Sequence, residues 1–128
     1  MKAVYISEYG GVDKLRYGER PDPTPRPGEV VLRVRASALN HLDLGFRAGR
    51  GRGSGGLPRI LGCEMAGEIA QVGSGVTGLS EGDLVLVDNR VKCGTCQPCL
   101  TGQDQYCLHQ LRLGVDLDGG HAEYCKVP

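Results

Sequence analysis

The chain has 128 residues, 40% hydrophobic and 23% charged, which suits one globular domain and leaves little room for two. Lysine plus arginine equals aspartate plus glutamate at 15 each, so the chain lacks the positive field that is typical of nucleic-acid-binding proteins. No apolar run approaches the roughly 20 residues of a membrane helix, and the first ten residues hold no signal-peptide core, so a cytoplasmic protein is expected.

In chain order, residues 3–6 predict a strand, and the prolines between 21 and 27 predict an extended linker. The strongest strand prediction is 30–38, because apolar and polar residues alternate there. One face of that strand should be buried, and it carries Val30, Leu32, Val34, Ala36 and Ala38.

Residues 40–49 predict a short helical turn, in which Asp43 and Arg47 lie one turn apart and can pair on the helix surface. The segment 49–56, with Arg50 and Arg52, is interpreted as a mobile loop rather than an arginine–glycine element that binds nucleic acid. Further strands are predicted at 69–72, 84–87 and 122–127. Five or six short strands with glycine turns indicate a mainly β fold, a small distorted barrel.

A glycine motif at 73–78 has the spacing G-x-G-x-x-G of dinucleotide-binding loops, and a predicted strand precedes it. Such a loop must open a helix whose N-terminus holds the pyrophosphate. Here turn-forming residues at 79–83 follow at once and lead into the next strand. We therefore expect a surface loop between two strands, and no cofactor-binding residue in the chain.

Four of the six cysteines are spaced C-x2-C-x2-C-x7-C. Two intervening residues let a tight turn aim both sulfurs inward, and four thiolates around Zn²⁺ make a closed tetrahedral site without a position for substrate. The spacing predicts a structural zinc lobe at about 90–111, with ligands Cys93, Cys96, Cys99 and Cys107. Lys92, beside the first ligand, can offset the negative charge of such a site.

Two other interpretations of the cysteines are weighed against zinc. A disulfide framework needs an oxidising compartment, and nothing in the sequence indicates secretion. An iron–sulfur cluster shares the C-x2-C-x2-C opening, but the fourth cysteine comes seven residues later rather than about three, and no second run of cysteines is present. Zinc is therefore favoured over both.

With its flanking motifs, the cysteine lobe resembles the N-terminal, GroES-like domain of the zinc-type medium-chain alcohol dehydrogenase/reductase family. The motifs follow the family's order along 1–128: Pro-Gly-Glu-Val at 27–30, Leu-Gly-Cys-Glu-Met-Ala-Gly at 61–67, Glu-Gly-Asp-Leu-Val at 81–85 and Gly-Gly-His-Ala-Glu-Tyr at 119–124. The resemblance implies a GroES-like barrel with a zinc lobe. It also implies an intact enzyme in which a Rossmann domain, absent from these 128 residues, binds NAD or NADP.

The resemblance implies a catalytic zinc position as well, and the chain departs from the family there. Asn40 stands where the family has a ligating cysteine, Cys63 where it has a histidine, and Leu42 where it has a hydroxyl residue. Glu64 matches the family's glutamate, and Asp43 matches the family's aspartate that supports the metal ligands from behind, which is the alternative to a surface pair with Arg47. The candidate catalytic residues are thus Asn40, Asp43, Cys63 and Glu64, but no metal is expected among them because an amide oxygen is a weak donor for zinc. The stretch 40–43 is closer to the family's zinc-free, quinone-reductase-like members.

The expected function is that of a domain from an NAD(P)-dependent oxidoreductase, in which hydride passes between a nicotinamide and an alcohol, a carbonyl or an activated double bond. Its partners in the intact enzyme would be that cofactor and a small-molecule substrate, with homo-oligomerisation left open and no turnover expected from this domain alone. The alternatives are a stand-alone zinc module for protein contact and, third, an iron–sulfur electron-transfer protein. His121 and Cys125 are expected to pack in the last strand.

Overall fold

The computed structural model of the chain describes residues 1–51 and 53–128, and strands predominate in it. The strands are β1 (Lys2–Ile6), β2 (Arg16–Glu19), β3 (Val30–Ala38), β4 (Arg59–Ile60), β5 (Glu64–Val72), β6 (Leu84–Leu86), β7 (Arg90–Val91), β8 (Leu111–Arg112) and β9 (Tyr124–Val127). The helices are α1 (His41–Arg47) and α2 (Gln97–Leu100), with short 3-10 turns at Val12–Lys14 and Asp104–Tyr106.

The strands described above form three antiparallel sheets, with the orders β2-β1-β4, β6-β5-β3-β9 and β7-β8. The prediction of a mainly β fold is confirmed. The hydrogen bonding of these strands does not close into one barrel, however. The first sheet instead meets the segment before β9, where Val4 N donates to His121 O at 2.7 Å and Ala3 bridges to Ala122.

The pairing of β3 with β5 departs from the alternation that the sequence predicts. The predicted inward positions are buried or half-buried as far as Val34, but Ala36 and Ala38 are exposed and Val31 is buried. The register against β5 shifts between Val31 and Leu32 and again between Val34 and Ala36. The first shift leaves Ala70 of β5 without a paired residue on β3, and the second leaves Arg35 of β3 without one on β5. The second shift interrupts the two-residue period of side-chain direction in β3, so the second half of the strand no longer presents its alanines to the core.

Two groups of buried side chains form the core. The first packs on the central sheet and comprises Val30, Leu32, Met65, Ile69, Leu113 and Cys125. The second lies between β1 and α1 and comprises Ile6, Phe46, Leu61 and Val115. Phe46 also meets Tyr9 edge to face at 5.5 Å between ring centroids, an arrangement that aromatic pairs prefer. The second group fixes α1, so that the beginning of this helix lies beside the start of β5.

Several predicted elements are confirmed with changed bounds. The helical turn at 40–49 is α1, but the strand predicted at 69–72 begins five residues earlier, at Glu64. The glycine motif at 73–78 is a loop between β5 and β6, tied back by Gly28 N donating to Ser74 O and Gly73 N donating to Glu29 O. The segment 49–56 consists largely of turns, and Arg52 lies outside the described residues. Among the described helices, none has the length and apolar character needed to cross a membrane.

Candidate metal centre and adjoining cleft

The four clustered cysteines lie in a lobe that the hairpin of β7 and β8 closes at its base. Arg90 pairs with Arg112 and Val91 with Leu111, so the two ends of the lobe leave the fold side by side. Gly94 and Gly102 take φ values of +70° and +74°. Glycine adopts this left-handed conformation without a steric penalty, and it lets the chain turn sharply between successive cysteines.

The sulfur atoms of the lobe converge on one point. All four lie within 4.8 Å of one another, and Cys96 Sγ lies 3.4 Å from Cys99 Sγ. A tetrahedral zinc with Zn–S bonds of about 2.3 Å has sulfur–sulfur edges of about 3.8 Å. The residues therefore fit this metal, and within residues 1–51 and 53–128 no other group of three or more His, Cys, Asp or Glu side chains converges in this way.

Backbone amides donate hydrogen bonds to two of the four sulfurs and so stabilise their thiolate forms. Cys93 N donates to Cys107 Sγ at 3.3 Å, and Cys96 N donates to Cys93 Sγ at 3.4 Å. Hydrogen bonds from the amides of Thr95 and Cys96 lower the pKa of Cys93 to about 5. Removal from solvent and the neighbouring thiol of Cys96 raise the pKa of Cys99 to about 12. A bound metal must therefore displace a proton from Cys99, since the metal-binding form is the thiolate.

Lys92 joins the lobe to the sheet. Its ammonium bonds to the carboxylate of Asp104, which raises the pKa of Lys92, and lies 3.8 Å from Asp88 Oδ2. The two carboxylates thus compete with the cluster for the positive charge of Lys92, so only part of that charge is available for the predicted role of offsetting the cluster. The bond between Lys92 and Asp104 also holds the 3-10 turn at Asp104–Tyr106 against the start of the lobe, and the contact with Asp88 connects it to the segment that leaves β6.

A cleft of about 350 Å³ opens between the lobe and the central sheet. Its walls are mainly polar, and they include Asn40, Cys63, Glu64, Asn89, Arg90 and Lys92. The fold therefore brings three of the four candidate catalytic residues to one cavity. The fourth, Asp43, lies behind the wall.

Asp43 is buried, with 4% of its surface exposed. Its Oδ2 accepts a hydrogen bond from Asn40 N at 2.8 Å, as part of a capping box at the start of α1, and its Oδ1 accepts one from Gly62 N at 3.0 Å. The predicted surface pair with Arg47 is therefore wrong. The carboxylate at the third helical position turns back to cap the helix N-terminus, because free amides are available there.

The donor set of the cleft does not fit a catalytic zinc. The amide Nδ2 of Asn40 donates to Glu64 Oε2 at 2.8 Å. Burial and the nearby charge of Asp43 raise the pKa of Cys63, which favours its neutral thiol. A catalytic zinc takes three protein ligands and an open position. Within residues 1–51 and 53–128 no third His, Cys, Asp or Glu ligand atom converges with Cys63 and Glu64, and Glu64 is already bonded to Asn40, so this part of the chain falls short of three ligands.

His121 is a site residue that sequence reasoning did not identify. Its Nδ1 lies 2.8 Å from Ser37 Oγ, and its Nε2 lies 3.9 Å from Asp43 Oδ2. The expectation of simple packing for His121 is therefore incomplete. His121 stands in the family motif at 119–124, but the sequence does not show that it meets Ser37, because the two residues are 84 positions apart.

The sequence is similar to a known domain family and to several characterised dehydrogenases and reductases. The sequence profile of the alcohol dehydrogenase GroES-like domain matches residues 26–128. The NAD-dependent alcohol dehydrogenase of Sulfolobus acidocaldarius is 34% identical over 133 residues, which cover 100% of this chain and 38% of that protein. The acryloyl-coenzyme A reductase of Metallosphaera sedula is 39% identical over 131 residues, covering 99% of this chain and 37% of that protein.

Solved structures of alcohol dehydrogenases are similar to this chain in fold. A cobalt- and zinc-bound thermostable alcohol dehydrogenase from Pyrobaculum aerophilum superposes with a TM-score of 0.93 at 42% identity, covering 100% of this chain and 39% of that one. The present chain thus spans about 38% of the length of the curated relatives it matches.

Proposed function

Since the chain belongs to the alcohol dehydrogenase GroES-like domain family, we propose that it forms the N-terminal domain of a nicotinamide-dependent oxidoreductase with a structural zinc. The observation that carries the proposal is the convergence of four thiols, all within 4.8 Å, in a lobe that borders a polar cleft. The domain division follows: 1–128 is the GroES-like unit, about 90–111 is the zinc lobe, and the nicotinamide-binding domain lies outside this sequence.

In this proposal Cys93, Cys96, Cys99 and Cys107 hold zinc, which supplies local folding rather than chemistry. Zinc-bound thiolates suit a reducing compartment, so we place the protein in the cytoplasm. We also propose that the intact enzyme forms a homo-oligomer, which its mass in solution would test.

The cleft is the proposed place of hydride transfer between a nicotinamide and the substrate. Asn40 carries two N–H groups, of which one donates to Glu64 Oε2. The second N–H can donate to a substrate oxygen, which takes on negative charge as hydride is added. Asp43 holds the start of α1 and therefore Asn40 in place. The chain's own donors thus polarise the substrate, in the manner of the zinc-free reductases.

The polar walls of the cleft favour a small polar substrate over a long aliphatic alcohol. The names of its relatives cover both proposed reaction types. One is an alcohol dehydrogenase, and the other is a reductase whose substrate, acryloyl-coenzyme A, contains an activated double bond. We propose a carbonyl, an alcohol or an activated double bond as the reacting group.

The test is to express the whole protein that the gene encodes and to follow NAD(P)H oxidation with carbonyl and activated-alkene substrates. Turnover is expected to persist at a chelator concentration that leaves the four-cysteine zinc bound, because no other metal takes part in the proposed reaction. Asn40→Ala should lower kcat by about 100-fold, the usual cost of removing one such donor. Leu44→Ala, an exposed position on the same helix, is the matched control and should keep full activity.

The proposal fails if the encoded protein has no nicotinamide-binding domain or no turnover with either substrate class. A stand-alone zinc module is then the better account. The observation that favours this second candidate is the exposure of apolar side chains on the lobe, namely Leu100, Tyr106 and Leu108. Such side chains are suited to protein contact.

A further inference from the structure

The segment 62–64, which carries Cys63 into the cleft, is anchored on both sides. At its first residue, Gly62 N donates to Asp43 Oδ1 at 3.0 Å. At its last residue, the hydroxyl of Ser37 lies 3.1 Å from Glu64 O. The two anchors come from different elements, since Asp43 belongs to α1 and Ser37 to β3.

The ring of His121 lies between these two anchors. Its Nδ1 is 2.8 Å from Ser37 Oγ, and its Nε2 is 3.9 Å from Asp43 Oδ2. The ring also lies directly against Gly62, where an added Cβ would stand 2.6 Å from His121 Nδ1. The backbone nitrogen of His121 would stand equally close, at 2.6 Å, and Gly62 has a φ of +99°, so glycine at this position permits the close approach of both the ring and the backbone of His121.

The hydrogen positions on the ring follow from its neighbours. Nε2 is buried, has no hydrogen-bond partner among the described residues and lies 3.9 Å from a carboxylate oxygen of Asp43. A lone pair there would repel Asp43, so Nε2 carries a hydrogen in either protonation state of the ring. Ser37 has one hydroxyl hydrogen, so it donates to Glu64 O only when Nδ1 itself carries a hydrogen and donates to Ser37. When Nδ1 carries none, the Ser37 hydrogen goes to the ring, and His121 then acts on the segment through Asp43 alone.

We propose that His121 is a positioning residue that links Asp43 and Ser37 and thereby holds Gly62, Cys63 and Glu64 at the wall of the cleft. The Nε2 hydrogen stabilises the Asp43 carboxylate, which binds both Asn40 N and Gly62 N. By supporting Asp43, the ring therefore helps to hold both Asn40 on one side of the cleft and Gly62, next to Cys63, on the other. His121 is not among the residues that line the cavity, so the role is one of positioning and not of catalytic contact.

The inference concerns the site of the proposed function, but its test uses neither cofactor nor substrate, so either can fail alone. The first measurement is long-range ¹H–¹⁵N correlation of the His121 ring in the zinc-loaded wild-type chain. A hydrogen on Nε2 is expected. A neutral ring with hydrogen only on Nδ1 overturns the proposal, whatever the variants show.

The second measurement is the alkylation rate of Cys63 in the zinc-loaded chain, divided by that of Cys125. Both thiols are buried in the wild type, and Cys125 reports opening of the core in the same sample. His121→Phe keeps a ring against Gly62 and removes both nitrogens, whereas His121→Gln keeps a donor for Asp43. The Cys63 to Cys125 ratio should rise about tenfold in His121→Phe, which corresponds to ~1.4 kcal/mol of local opening.

In His121→Gln the ratio should stay within about threefold of the wild type, because the donor is retained. Equal ratios in all three proteins, or an equal rise in both variants, overturn the positioning role. Ser37→Ala is the independent variant if His121→Phe does not fold. It removes the other anchor, and an unchanged ratio there contradicts the proposal as well.

Discussion

Replacing Cys96 with serine is expected to release the metal and unfold the lobe at about 90–111 while the central sheet stays folded. Four sulfurs converge within 4.8 Å, so each supplies a quarter of the donor set. Loss of an outer-shell partner alone costs up to about 100-fold in metal affinity, and loss of a ligand should cost at least that much. The lobe holds only short elements, α2 and a 3-10 turn, which have little stability without the metal.

Metal stoichiometry under chelator competition measures the first effect, and ¹H–¹⁵N spectra measure the second. Amide signals from the lobe should collapse to random-coil positions, while those of β3, β5 and β9 should persist. Cys125→Ser makes the same chemical change in the sheet core and is the matched control, expected to keep its zinc. Wild-type zinc affinity in Cys96→Ser, or unfolding of the central sheet, contradicts the division into lobe and sheet.

Asp43→Ala is the second change with a large expected effect, a loss of about 3 kcal/mol in the free energy of unfolding. It removes the acceptor of Gly62 N and of Asn40 N, and each buried amide left without a partner costs roughly 1–3 kcal/mol. Urea unfolding followed by far-UV circular dichroism measures the loss. Zinc content should be unchanged, because Asp43 lies outside the lobe.

The comparison for Asp43→Ala is Asp13→Ala, an aspartate exposed to solvent in a 3-10 turn. That change should alter the free energy of unfolding by less than about 0.5 kcal/mol. Equal stability of the two variants would show that the buried capping box contributes little. Loss of zinc from Asp43→Ala would show instead that the site and the lobe are coupled.

The elements that the sequence predicts well are those fixed by near neighbours. The cysteine spacing lies within one short segment, and the helical turn at α1 has its cap at Asn40, so both are visible in local sequence. The inward set on β3 is predicted only as far as Val34, because the register shift that follows arises from pairing with β5. Strand β4 has two residues and exists only through its pairing with β1.

The cleft illustrates the same limit. The resemblance to a family points to Asn40, Cys63 and Glu64, which the fold brings together. It does not predict that Asp43 binds the amide of Gly62, because the two residues are 19 positions apart. Nor does it predict the polar contacts of His121, which depend on the approach of β3, α1 and the segment before β9. Such contacts are set by tertiary packing and leave no periodic pattern in the sequence.

The most direct test of the central claim is the identity and position of the metal in crystals of the purified chain, from anomalous diffraction on both sides of the zinc edge. We expect one zinc per chain, surrounded by Cys93, Cys96, Cys99 and Cys107, and no anomalous density beside Asn40, Cys63 and Glu64. Iron in the lobe would contradict the structural zinc site. A second metal within about 2.0–2.3 Å of Cys63 and a carboxylate would contradict the zinc-free cleft and restore metal-assisted alcohol chemistry.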